Sequence, residues 1–295
     1  MKKLTHVPHW LVALFLTALC LSACIAVGSG VRAAVSNSSS SPHKYTWMIA
    51  NSALQLLEQA DSSGKLAKTY FDTPDTYLLG AANASGFPAG WQSVPTAVFS
   101  SYAAIQQAFT THAINAQVKA IVYDNEDWSF TPVQEQHNPG LYDRLAAELV
   151  HQHHLIFIAT PATDLARVLD PFGKNVYQDF LNLGIAREAA RYADIYEIQA
   201  QGSEMNTSTY ATFVKQAAAQ AQAANPHVKI LAGLSTNPTG HTVTGKELYQ
   251  AVLATQSSVI GYWLNIPSAG SHCPTCGQPQ PQVAVDLLEK LSGQS

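Results

Sequence analysis

The chain has 295 residues, of which 47% are apolar and only 12% are Asp, Glu, Lys or Arg. That length buries a large core, and the dispersed apolar residues exclude a disordered scaffold. Sixteen basic against twenty acidic residues give a net charge of −4, with no basic run, so nucleic acid is excluded as a partner.

The N-terminus reads as an address. Met1-Lys2-Lys3 precedes an apolar stretch, Trp10 to Leu21, too short to span a bilayer comfortably, which fits a signal peptide over residues 1–23. Leu21-Ser22-Ala23-Cys24 looks like a bacterial lipobox, which makes Cys24 the expected lipidation site and the first mature residue. Cleavage after Val31-Arg32-Ala33 is the rival reading, and it leads to free secretion. Residues 24–43 include Ser36-Asn37-Ser38-Ser39-Ser40-Ser41-Pro42, the composition of a flexible tether. Both readings place the protein outside the cytoplasm, either anchored to the cell surface through lipid or secreted. Its only membrane contact would be that anchor.

Residues 44–295 alternate between short β-branched or aromatic runs and stretches of helical period. Strands are expected over Tyr45–Ala50, Tyr77–Ala81, Ser93–Ser100, Ala120–Asp124, Leu155–Thr160, Ile195–Ala200, Val228–Leu234 and Val259–Leu264. Helices are expected over Ala53–Ala60, Tyr102–Asn115, Leu141–His151, Phe180–Ala193, Tyr210–Ala224, Lys246–Thr255 and Gln282–Leu291. This alternation predicts a parallel sheet, most economically a single-domain (β/α)8 TIM barrel, for which about 250 residues is typical. An open doubly wound sheet is the alternative. No G-x-G-x-x-G follows the first strand and no phosphate-binding loop motif occurs, so no cofactor is expected.

In a barrel, chemistry belongs at the C-terminal ends of the strands. The fourth strand runs into Asp124-Asn125-Glu126-Asp127-Trp128. Asp124 and Glu126, two apart, project to the same side, where proximity should push one carboxyl pKa upward, as a general acid requires. The sixth strand sets Glu197, Gln199 and Gln201 on one face, and polar groups turned inward are costly unless they bond each other or a ligand. Glu204 just beyond is equally readable as a helix N-terminal charge. Trp263 and Asn265 share a face of the last strand. Such a ring beside an amide suits a sugar, although a lone Trp at a strand end also suits the core. Trp128 joins these as a candidate substrate contact.

The cluster His151-Gln152-His153-His154 fits a helix C-terminus at the surface, and no H-e-x-x-H metal pattern accompanies it. Cys273 and Cys276 form a lone C-x-x-C, read as a local disulfide in an oxidising compartment, with half a zinc site as the alternative. No metal is expected. A weaker reading makes Asp124, Glu126 and Asp127 ligands of a hard cation for phosphoester hydrolysis.

The order of these pieces resembles the catalytic barrels of glycoside hydrolase family 18, especially the compact plant-type chitinases. In that family the fourth strand ends Asp-x-x-Asp-x-Asp-x-Glu, and Glu126 and Asp124 match its last two acids. Ile158-Ala159-Thr160-Pro161 is similar to the next strand's motif, Gln199 to the glutamine of the sixth strand, Lys229–Leu234 to the seventh strand and Gly261–Trp263 to the strand with the platform tryptophan. The resemblance implies a barrel enzyme acting on a polysaccharide or cell-wall glycan. Glu126 would protonate the glycosidic oxygen and Asp124 would orient the substrate, with the sugar's own carbonyl replacing a second carboxylate. Lys119 and Val122 stand where the family has its first two aspartates, and Gln201 where it has a tyrosine. These departures fit an alternative, a catalytically inactive glycan- or ligand-binding surface lipoprotein.

Overall fold

The computed structural model describes residues 45–271 and 273–293. The expected leader and tether, with Cys24, lie outside the described residues.

Eight parallel strands close into a barrel in sequence order: β1 (Thr46–Ala50), β2 (Thr76–Gly80), β3 (Val94–Phe99), β4 (Ala120–Tyr123), β5 (Ile156–Ala159), β6 (Ile195–Ile198), β7 (Lys229–Ser235) and β8 (Gly261–Asn265). The expected TIM barrel is therefore the fold. β8 closes on β1 with Gly261 opposite Thr46. The backbone of Thr46 lies so close there that any Cβ at position 261 would strike its carbonyl oxygen.

Side-chain alternation divides the strands between two cores. Inward positions carry Met48, Leu79, Val122, Ile158, Leu231 and Trp263, which fill the barrel as a packed interior. Outward positions such as Ile121, Phe157, Tyr196 and Tyr262 are buried under the surrounding helices.

The helices are α1 (Asn51–Ala60), α2 (Leu66–Phe71), α3 (Tyr102–Thr110), α4 (Val133–Gln136), α5 (Pro139–Gln152), α6 (Leu165–Leu169), α7 (Val176–Asn182), α8 (Ile185–Ala190), α9 (Thr207–Ala224), α10 (Gly245–Thr255) and α11 (Pro281–Ser292). Two differ from the sequence expectation for local reasons. The helix expected from Tyr102 to Asn115 ends at Thr110. There His112 takes a left-handed φ of 54°, and the Ala113 N–H reaches back to the Ala108 carbonyl, closing the helix end. The helix expected from Phe180 to Ala193 is two, α7 and α8, parted at Gly184, whose φ of 71° no continuous helix accommodates. The short helices α2, α4 and α6 have no counterpart in the periodicity.

Candidate functional site: an acidic cleft at the barrel mouth

The C-terminal ends of the strands open into a cleft of about 710 Å³ lined by Asp124, Glu126, Trp128, Gln199, Gln201, Trp263 and Asn265 among others. Seven of the eight side chains singled out for catalysis or substrate contact thus meet in one cavity. The eighth, Glu197, does not line it.

Asp124 follows the last residue of β4 and is 8% exposed. Its Oδ1 accepts from Thr160 Oγ1 at 2.9 Å and from Gln199 Nε2 at 2.8 Å. Gln199 also donates to the Thr160 carbonyl at 2.9 Å, so one amide ties β4, β5 and β6 together at the mouth. Burial raises the Asp124 pKa to about 7 against these two hydrogen bonds, with the charge of Asp164 adding to the rise. Glu126 is raised further, to about 9, by burial first and then by the charges of Asp124 and Asp164. The two sit in one field, so the pair loses its protons in two steps, Asp124 leading.

The Glu126 backbone is held by Thr131, whose hydroxyl accepts from the Glu126 N–H at 3.2 Å and from Trp128 Nε1 at 2.8 Å while donating to the Ser100 carbonyl at 2.7 Å. The Trp128 ring packs edge-on against Phe130, with centroids 5.2 Å apart. In the loop after β5, Asp164 Oδ1 accepts from the Asp127 N–H at 3.1 Å, joining the fourth and fifth loops. Thr131, Thr160 and Asp164 escaped the sequence reading as site residues, because their roles depend on which loops the closed barrel makes adjacent.

β6 ends at Ile198, three residues before Gln201, and the Ala200 N–H turns back to the Ile198 carbonyl at 2.7 Å. Gln201 nevertheless reaches the cleft, lying across the bare face of Gly233 on β7 so closely that a Cβ there would overlap its amide. Glu197 shares the inward face but is 0% exposed beneath the cleft floor, and neither oxygen has a partner among the described residues. Burial, then the charges of Asp124 and Glu126, push its pKa well above the usual carboxyl range. Glu204 is also buried. Its oxygens accept from the Gly202 N–H at 2.6 Å and the Ser235 N–H at 2.8 Å, tying the sixth loop to the end of β7.

Trp263, 8% exposed, serves as both the top of the packed interior and part of the cleft floor. The loop after β8 forms one wall. Cys273 and Cys276 are joined there by a disulfide and line the cleft. Asn237 Nδ2 faces the carbonyls of Pro267, Cys276 and Gln278 at 2.8–3.2 Å, fixing that loop to the end of β7. Among the described residues, no group of three His, Cys, Asp or Glu side chains is placed to hold a metal ion. His151 is exposed and pairs with Asp194 at 2.9 Å.

Fold and site together define a (β/α)8 barrel with a carboxyl pair at its open mouth. No protein-family model and no curated protein matches the chain. Solved structures share the barrel at low identity. A curdlan-specific GH128 exo-β-1,3-glucanase from Blastomyces gilchristii, solved with glucose, is 12% identical, covering 80% of this chain and 93% of its own, with a TM-score of 0.46. A chitinase from Chromobacterium violaceum is 11% identical, covering 85% and 99%, with a TM-score of 0.46. A triosephosphate isomerase from Bartonella henselae is 8% identical, covering 75% and 92%, with a TM-score of 0.43.

Proposed function

We propose that the protein is an extracytoplasmic glycoside hydrolase-like enzyme acting on a polysaccharide or cell-wall glycan, with Glu126 as general acid. The observation that supports this reading is the arrangement of Asp124 and Glu126. Two carboxyls share one cleft, and the one with the higher pKa stays protonated at neutral pH while its neighbour accepts two hydrogen bonds that favour its charged form. Glu126 gives its proton to the glycosidic oxygen as the carbon–oxygen bond breaks and the bonding pair goes to that oxygen. The Asp124 carboxylate faces the positive charge that develops on the sugar. Water completes the hydrolysis by adding to the anomeric carbon, and its proton returns to Glu126. Gln199, Gln201 and Asn265 offer hydrogen bonds to hydroxyl or amide groups, and Trp263 and Trp128 offer apolar ring faces.

The test is Glu126→Gln assayed beside the parent chain on a panel of glycans and chromogenic glycosides. Loss of a general acid should lower kcat by about 10²–10⁴-fold while leaving binding in place. Unchanged hydrolysis of every substrate would remove Glu126 from this role.

One observation favours a second reading, that of a silent glycan-binding barrel. Val122, directly before the pair on the inward face of β4, is sealed among apolar neighbours, so no further carboxyl supports Asp124 from that position. Glycan binding with no product at any pH would favour it.

The cell-surface location rests on the N-terminal residues. Cys24→Ala should shift the protein from the membrane fraction to the soluble one, and an unchanged distribution would argue against a lipid anchor.

A further inference from the structure

We propose that the cleft takes a glycan bearing protonated amino groups, with an ammonium seated against Asp124 and Glu126. This names a substrate class for the proposed glycosidase and rests on that reading only for the location of its site.

The charge pattern of the cavity is one-sided. Among the described residues that line it, Asp124 and Glu126 are the titratable side chains, and no Lys, Arg or His lies beside them. The acidity continues behind the wall. Asp164 is close enough to raise both carboxyls, and Asp127 is close enough to raise Asp164. Arg167 opposes the charge of Asp164, outside the cleft lining. Independently, Glu197 points into the barrel under the same floor, wholly buried, with neither oxygen partnered among the described residues. Asp124 and Glu126 thus face no cationic side chain among the described residues of the cleft lining.

Each class of ligand meets this field differently. A uronate or phosphate adds like charge to a low-dielectric wall and is rejected. A neutral sugar leaves the cluster as it stands, whereas an ammonium supplies the missing opposite charge and can also lie against the ring of Trp263 or Trp128. Linkage then acts on the chemistry. An ammonium beside the pair draws both raised pKa values down, so binding expels protons, and the affinity of Glu126 for its proton falls towards the operating pH, where a general acid works best.

The experiment is calorimetric titration of the Glu126→Gln chain with glucosamine, N-acetylglucosamine and galacturonate oligomers of equal length, at about pH 6, where the amines carry charge while buried acids still hold protons. Two buffers of different ionisation enthalpy count the protons released. The glucosamine oligomer should bind about tenfold or more tighter than the N-acetylated one, with proton release, and should lose most of that advantage in high salt. Adding Asp124→Asn should abolish both the advantage and the release. Equal affinity for the glucosamine and N-acetylglucosamine oligomers, tighter binding of galacturonate, no binding of any oligomer, or a preference that survives both salt and Asp124→Asn would overturn the proposal. Selective ammonium binding without turnover by the parent chain would sink the glycosidase reading and leave this one standing. Turnover of neutral glycans with no preference for the amine form would do the reverse.

Discussion

Gln199 occupies the pivotal position at the mouth, because both hydrogens of its amide are used, one on Asp124 and one on the Thr160 carbonyl. A hydrogen bond to the charged form lowers a carboxyl pKa, so Gln199→Ala should raise that of Asp124. The acidic limb of the kcat/KM profile should then move up by about one unit. A limb that stays in place would show that Asp124 does not govern it. Gly233 provides a gentler probe of the same wall. Gly233→Ala meets first the flexible end of Gln201, so stability should change by less than about 1 kcal/mol while Gln201 leaves its place and KM rises. Asp124 and Glu126 were legible in the sequence because acids directly after an apolar strand have few alternatives in a barrel. Thr160 and Asp164 were not, since a hydroxyl and an acid in a loop carry no signal until the fifth strand is laid beside the fourth. Glu197 was legible as inward-facing but not as submerged, because alternation fixes the side of a strand and says nothing about depth.

Among the elements, the strands were the easier half. Every one of the eight has a β-branched or aromatic core, and the structure moves their ends by two residues at most. Short helices such as α2, α4 and α6 span too few turns to establish a period, and tertiary packing rather than propensity holds them. The break between α7 and α8 was visible only as a glycine. Gly184→Ala forces a side chain into the left-handed region and should cost about 1 kcal/mol, read as a lower denaturation midpoint. The closure of β8 on β1 is far less forgiving. Gly261→Ala drives a methyl group into the Thr46 backbone, which cannot swing aside, and should destabilise by about 3 kcal/mol or more, or prevent folding. Soluble, cooperative Gly261→Ala protein of parental stability would contradict that close approach.

For the whole molecule, the buried acids predict an unusual pH dependence. Asp143 on α5 is fully buried, and neither oxygen has a partner among the described residues; burial holds its pKa well above the usual carboxyl range, as it does for Glu197. Asp124 and Glu126 are raised as well. In each case the folded state keeps a proton that the unfolded chain releases near pH 4, so stability is greatest below that point and falls as pH climbs towards the raised values. Urea midpoints should therefore decline steadily from about pH 4 to about pH 9. Asp143→Asn should flatten part of that slope and raise the midpoint at the alkaline end. A slope left unaltered would show that Asp143 is not among the protons concerned.

The parallel course of the strands also gives the molecule a direction. The chain enters the barrel at Thr46, at the N-terminal ends of the strands, and the cleft opens at their opposite ends. Substitutions at the strands' N-terminal ends therefore act on the packing beneath the barrel, whereas those at the opposite ends act on the acidic mouth, so the two faces can be altered independently.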